Sequence, residues 1–341
     1  MSAAKVGNGA GVGVIGAGAW GTALAQSLAG DGSDVLLWAR ESDLADRINA
    51  EHRNGAYLPG AALAATVQAT SDLARLATLP VLLAVVPAQF LGGVLSRLPA
   101  LGFAGDLVLC AKGIEAGSGR LMAEVAAAAV PGAEIAVLSG PTFAHEVAAG
   151  LPTAVTLACS GGEAQWRRLS PVIARPAFRP YYSDDVIGAE IGGAVKNVLA
   201  IACGVVDGLK LGQNARAALI ARGYAEMLRF GLARGARAET LSGLCGLGDL
   251  VLTCSSSSSR NFSLGLALGQ GLTAAEALSG KNSVAEGAAT APVLAEIARR
   301  DGIEMPIAEA VCRLLEGKAP AEEVVSQILA RPLRAEQEPH S

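Results

Sequence analysis

Lys196 interrupts residues 191–206, a segment that is otherwise almost wholly apolar. A lysine there either carries its ammonium out to water on its apolar stem or serves a site. In a site it would act as a proton carrier or a fixed positive charge. Asp249 lies in Gly246-Leu247-Gly248-Asp249-Leu250, between glycine turns and an apolar run. It is either a helix cap or the partner of a cation such as Lys196. Lys112 follows the apolar run 106–111 and precedes Gly113. An ammonium there reaches a phosphate or a carbonyl, unless the residue is a plain surface lysine. Arg260 and Asn261 follow five consecutive serines, the last of them Ser259. Such a run is a flexible loop. Alternatively it is a phosphate cradle, with a guanidinium fork and the N-terminal N–H groups of the next helix.

These residues need elements to hold them, and the first element is near the N-terminus. Residues 12–15 read as a short buried strand that runs into Gly16-Ala17-Gly18-Ala19-Trp20-Gly21, and residues 22–29 open a helix. Gly16 allows the tight turn, Gly18 lets the backbone approach a pyrophosphate, and Gly21 lets helix and strand pack closely. The helix N-terminus then faces the phosphates. The glycine spacing alone is weak, but its placement between a strand and a helix is the context a dinucleotide site requires.

A second strand is expected over 34–39, followed by Arg40 and Glu41. Arg40 stacks on adenine, meets a 2′-phosphate, or is a solvated cation, and Glu41 reaches a ribose; the pair leans towards NADP over NAD. Residues 54–59 read as a loop, with Tyr57 and Leu58 as cover for the sheet edge. Further strands are expected over 80–86, 106–111, 134–139, 153–159 and 178–182. Gly140-Pro141-Thr142 is a turn that offers N–H groups and a hydroxyl beyond one of them. His145, just after it, is expected on a short helix facing solvent or packing, not as a general acid.

Short strands alternating with helices give an α/β class, a doubly wound parallel sheet over residues 11–187. From residue 188 to 333 the pattern is helical throughout, with Ala217, Ile220, Tyr224, Met227 and Gly231 at helical spacing. That segment is expected to be an all-helical second domain, docked on the first through a helix so that the two share a cleft. Residues 1–9 read as a loose lead-in without a signal peptide, and the tail after Arg334 as frayed.

The 341 residues are 51% hydrophobic and carry a net charge of −4, which supports sizeable cores and argues against nucleic-acid binding. No uninterrupted apolar run has the length of a membrane span. The six cysteines form no CxxC pair, so buried thiols in a reducing cytoplasm are expected. The three histidines have no metal spacing, and no metal site is expected.

Taken in order, GAGAWGTALA, NGAYLPG, KGIE, SGPTFAHEVAAGLPTA, GGAVKNVLAI, NARAALIARG, GLGDLVLTC and SRN resemble the bacterial-type NAD(P)-dependent glycerol-3-phosphate dehydrogenases. The resemblance spans residues 12–333 and implies a Rossmann domain plus a helical domain. It also implies reversible reduction of dihydroxyacetone phosphate to sn-glycerol 3-phosphate, a cytoplasmic role in supplying glycerophospholipids, and a homodimer. By that resemblance the cofactor, NAD or NADP, meets Gly16, Gly18, Ala19 (through its backbone), Trp20, Gly21, Arg40, Lys112, Ala144 and Arg260. Val284 and Glu286 cover its nicotinamide side. The small phosphorylated substrate meets Lys112, Gly140, Thr142, Lys196, Asp249, Ser259, Arg260 and Asn261, and Lys196 matches the proton-transfer residue.

Overall fold

A computed structural model describes residues 11–279 and 285–330. The lead-in over 1–9, Val284 and the tail after Arg334 lie outside the described residues. The chain forms strands β1 (Val12–Ile15), β2 (Val35–Trp38), β3 (Arg53–Asn54), β4 (Leu58–Ala62), β5 (Val67–Thr70), β6 (Val81–Ala84), β7 (Asp106–Leu109), β8 (Glu134–Ser139), β9 (Thr153–Cys159) and β10 (Phe178–Ser183). Eight of them make one sheet in the order β10-β9-β8-β7-β6-β1-β2-β5. The pairs from β5 across to β8 are parallel, β8 and β9 are antiparallel, and β9 and β10 are parallel again. Every residue of β1, β2 and β6 is buried, because helices cover both faces of the sheet. That is why these strands read as continuous apolar runs and not as alternating ones.

Two departures from the sequence reading occur on one side of the sheet. Residues 54–59 are not a plain loop: Asn54 ends β3 and Leu58 begins β4, and the two pair as an antiparallel hairpin. The turn-forming Asn, Gly and Pro of this stretch hide strands only two and five residues long. β5, at the sheet edge beyond β2, was also not expected, because its four residues include Gln68 and Thr70.

After β10 the described residues contain helices and no strand. The helix Val186–Gly208 is the axis of this part, and all its residues from Gly188 to Val206 are buried. It has the length and hydropathy of a membrane span, yet 89% of that apolar window is buried inside the protein. Its apolar character is that of a core helix wrapped by others. The helix Arg260–Gly269 crosses it closely, since a Cβ on Gly204 would stand 2.0 Å from the Phe262 carbonyl oxygen. On the helix Gly212–Ala233 only Met227 and Gly231 of the expected apolar stripe are buried, while Ile220 and Tyr224 are half-buried and Ala217 is exposed. Five cysteines are buried and Cys312 is half-buried, all as free thiols.

Candidate active site

The carboxyl ends of the parallel strands face the helical part, and the charged residues singled out above converge there. Asp249, at the start of the helix Asp249–Cys254, is 0% exposed. Its Oδ1 accepts from Lys196 Nζ at 2.7 Å and its Oδ2 from Lys112 Nζ at 2.7 Å. Asp249 is the cation partner and not a cap: Gly248 holds the N-cap position without a side-chain capping bond, and the carboxylate of Asp249 is turned to the two lysines. One carboxylate ties a lysine of the buried axis helix to a lysine beyond β7. Lys112 Nζ also donates to the Gly140 carbonyl at 3.1 Å, which Thr142 Oγ1 contacts at 3.3 Å. Lys112, Gly140, Thr142, Lys196 and Asp249 therefore stand together.

Lys196 is 6% exposed, so its ammonium does not reach out to bulk water along its stem. Burial pulls its pKa down to about 8; Asp249 opposes that pull and the Lys112 charge adds to it. An amine with that pKa exchanges its proton near neutral pH, which an ordinary lysine does not. Thr253 completes its shell: Lys196 Nζ donates to Thr253 Oγ1 at 2.9 Å, and the Thr253 hydroxyl lies 3.2 Å from Asp249 Oδ1. The sequence reading missed Thr253. Its signal was there, since residues four apart on one helix share a face.

A run of amides then links the two parts. Asn197 Nδ2 donates to the Lys112 carbonyl at 3.4 Å and Asn261 Nδ2 donates to Asn197 Oδ1 at 2.9 Å. The Gly287 N–H donates to Asn261 Oδ1 at 3.0 Å. Asn197 was also missed, although it adjoins Lys196. Ser259 caps the helix Arg260–Gly269, accepting from the Phe262 N–H at 3.2 Å. Arg260 is exposed on the first turn, beside buried Asn261, and its charge is felt by Glu286. Glu286 accepts from the Ala88 N–H at 3.2 Å, bridging from the helical part to the end of β6, and burial raises its pKa.

The glycine loop lies farther along the same sheet edge. Gly16 has φ +117°, and a Cβ on Gly21 would stand 1.8 Å from the Gly16 carbonyl oxygen, so neither position tolerates a side chain. A Cβ on Gly18 would meet nothing within 4 Å, which leaves the helix N-terminus open. The first turn of that helix, Ala19–Leu28, carries no acidic residue, so its positive end is unopposed. Trp20 is half-buried and its Nε1 is buried without a partner among the described residues. An open amide-lined turn with an unspent donor fits a dinucleotide. The loop is held from beneath by Asn54, fully buried, whose Nδ2 donates to the Ala17 carbonyl and to Thr22 Oγ1 at 2.8 Å each. Sequence reading assigned no role to that asparagine.

Two residues stand apart. Arg40 follows β2 with its side chain 78% exposed, and its Nε donates to Glu41 Oε1 at 2.8 Å. It is not joined to the lysine cluster. His145 lies on the helix Ala144–Ala148 with its side chain 61% exposed, stacked on Phe143. It contributes nothing to the cluster. Ala144 opens that short helix beside the Gly140 turn.

Comparison with known proteins identifies the family. Residues 11–165 match the family model for the N-terminus of NAD-dependent glycerol-3-phosphate dehydrogenase, and residues 185–326 match that for its C-terminus. The chain is 70% identical over 325 residues to glycerol-3-phosphate dehydrogenase [NAD(P)+] of Novosphingobium aromaticivorans, covering 95% of this chain and 98% of the relative. It is 70% identical over 327 residues to the same-named protein of Erythrobacter litoralis, covering 96% and 98%. The crystal structure of glycerol-3-phosphate dehydrogenase from Coxiella burnetii superposes with a TM-score of 0.90 at 43% identity, covering 94% of this chain and 98% of that one. With both halves matched in order and at this identity, the chain belongs to the NAD-dependent glycerol-3-phosphate dehydrogenase family.

Proposed function

We propose that this chain reduces dihydroxyacetone phosphate reversibly to sn-glycerol 3-phosphate with NAD(P)H, and so supplies glycerophospholipid synthesis. The observation that carries the mechanism is the buried Lys196–Asp249–Lys112 linkage, with 2.7 Å on each side of the carboxylate. The bound nicotinamide supplies or takes the hydride at the substrate's C2. In the reducing direction Lys196 as ammonium gives its proton to the C2 oxygen as negative charge grows there. In the oxidising direction neutral Lys196 takes the proton from the hydroxyl. Its pKa of about 8 makes both forms accessible. Asp249 and Thr253 aim Nζ, and Lys112 adds positive charge beside the developing alkoxide.

Arg260, Asn261 and backbone N–H groups hold the substrate phosphate, and Gly140, Thr142 and Ser259 line the rest of the substrate site. Binding energy at that end positions the carbonyl against Lys196. Gly16, Gly18, Ala19, Trp20, Gly21, Ala144 and Glu286 receive the dinucleotide. Exposed Arg40 meets a 2′-phosphate and tilts preference to NADPH. Residues 11–187 carry the dinucleotide and 188–333 complete the substrate site. Buried free thiols fit a cytoplasmic setting, and the working unit is a homodimer.

Steady-state assays with dihydroxyacetone phosphate and each reduced cofactor test this reading, alongside short β-hydroxy acids and Lys196→Ala. Turnover of the phosphorylated ketone alone, lost in Lys196→Ala with cofactor affinity kept, is the expected result. Preference for a β-hydroxy acid, or near-normal turnover in the variant, overturns it.

A further inference from the structure

Lys112 does not stand on a strand or a helix. The chain turns after it and returns through an antiparallel bridge between Ile114 and Leu121, then enters the helix Met122–Ala129. Such a loop leaves a long, flexible ammonium poorly placed unless something outside the loop fixes its backbone. We infer that Gln89 and Glu190 are positioning residues for Lys112, gripping residues 112–123 from two sides so that the ammonium is delivered to Asp249. This inference rests on the site reading above, in which Lys112 touches the substrate.

Gln89 grips the middle of the loop. Its Nε2 donates to the Ile114 carbonyl at 2.8 Å and its Oε1 accepts from the Ala116 N–H at 2.9 Å. The amide offers a donor and an acceptor side by side, and these two partners set its orientation. Gln89 belongs to the helix Ala88–Leu95, whose first N–H is the one Glu286 accepts. The grip therefore starts from the turn that ends β6 at the ligand edge.

Glu190 grips the far end. It is 5% exposed on the axis helix, and its Oε1 accepts from the Ala123 N–H at 2.7 Å. Its Oε2 is buried without a partner among the described residues. Burial raises this carboxyl to about 8, so it is neutral at pH 7 and places no charge at the junction. Glu124 does not share the task; it accepts from the Leu121 N–H at 2.7 Å. Asn197, seven residues along from Glu190 and so on the same face of the axis helix, holds the Lys112 carbonyl. One rigid helix thus pins the loop at its start and its end, while Gln89 pins its centre.

The test compares Lys112→Ala, Gln89→Ala, Glu190→Ala and Glu190→Gln in the full chain. The readouts are KM for dihydroxyacetone phosphate, Kd for NADPH, Tm, and the pH profile of glycerol 3-phosphate oxidation. The groups bearing on Lys196 are Asp249, Lys112, Cys254, Thr253 and Glu286. Among them the variants disturb Lys112. Withdrawing a positive neighbour raises the Lys196 pKa, so the rising limb of oxidation moves to higher pH.

Lys112→Ala should raise KM and move that limb. Gln89→Ala should do the same with about a threefold to tenfold rise in KM, and Glu190→Ala with about tenfold or more. In Gln89→Ala and Glu190→Ala, NADPH affinity should fall no further than it does in Lys112→Ala. Glu190→Gln should behave as wild type, because the amide keeps the acceptor at Ala123 without charge. Gln89→Ala should add little to Lys112→Ala, since both act through one ammonium. Gln89 is exposed, so its variant decides the matter even where Glu190→Ala fails to fold. A fall in Tm alone in Gln89→Ala, with KM and the pH limb unmoved while Lys112→Ala moves both, overturns the brace and leaves the site reading standing. Glu190→Gln as impaired as Glu190→Ala also overturns it. Lys112→Ala without effect on either readout removes Lys112 from the chemistry and takes the brace with it.

Discussion

Asp249→Asn separates charge from shape at the centre of the site. The side chain is 0% exposed and lies 2.7 Å from two ammonium nitrogens. Asparagine keeps the volume and one acceptor but removes the only carboxylate bonded to either lysine among the described residues. Breaking a buried ion pair by removing one partner costs about 3–5 kcal/mol, because the remaining charge is left buried and uncompensated. Here two charges are left, close enough to repel. Lys196 relieves the strain most readily by losing its proton, since burial already holds its pKa at about 8. One pH unit corresponds to about 1.4 kcal/mol, so even a third of that loss falling on Lys196 moves its pKa down by about one unit. The sign is definite: removing a negative neighbour lowers a lysine pKa. Reduction needs the ammonium, so its falling limb moves to lower pH. Oxidation needs the amine, so its rising limb moves down as well. The assay is kcat against pH in both directions at saturating cofactor, with urea unfolding for stability. A limb that stays in place, or moves up, refutes the reasoning and removes Asp249 from control of Lys196.

Arg40→Glu should raise KM for NADPH by about tenfold or more relative to NADH, since a charge-assisted phosphate contact is replaced by repulsion; equal effects on both cofactors return Arg40 to the solvated surface. Gly21→Ala should raise the dinucleotide Kd by at least about tenfold and lower Tm, because the new Cβ falls 1.8 Å from the Gly16 carbonyl oxygen; isothermal titration with unchanged Kd refutes it. Glu226 is 1% exposed and accepts from the Ile307 and Ala308 N–H groups, and burial raises its pKa to about 7. A raised carboxyl favours folding at low pH, and that advantage is lost as pH rises from 4.5 through 7. Glu226→Gln should therefore shrink the difference in unfolding free energy between pH 5 and pH 8 by roughly 2–3 kcal/mol. An undiminished difference in urea titrations means Glu226 does not titrate in that range.

Much of this protein was readable without coordinates. The glycine loop was, because its meaning depends only on near neighbours: a strand, three glycines and a helix. Lys196 was, because a charge inside an apolar helix is conspicuous locally. The central strands were, because burial on both faces makes each a compact apolar run. The hairpin of β3 and β4 and the edge strand β5 were not, since short, partly polar strands leave no period to count. The choice between cap and cation partner for Asp249 was beyond reach for a different reason: the local pattern is the same for both, and only the fold shows its carboxylate on two lysines and not on a helix N–H. Only folding brings Lys112, 137 residues away in sequence, to its second oxygen. Thr253, Asn197 and Asn54 were passed over likewise, since a small polar residue acquires its role from what it faces. The sequence alone thus marked the glycine turn between strand and helix, the two-part architecture and the lysine inside an apolar helix. The tertiary structure decided the pairing of two lysines on one buried carboxylate, because charge, burial and distance act through space and not along the chain.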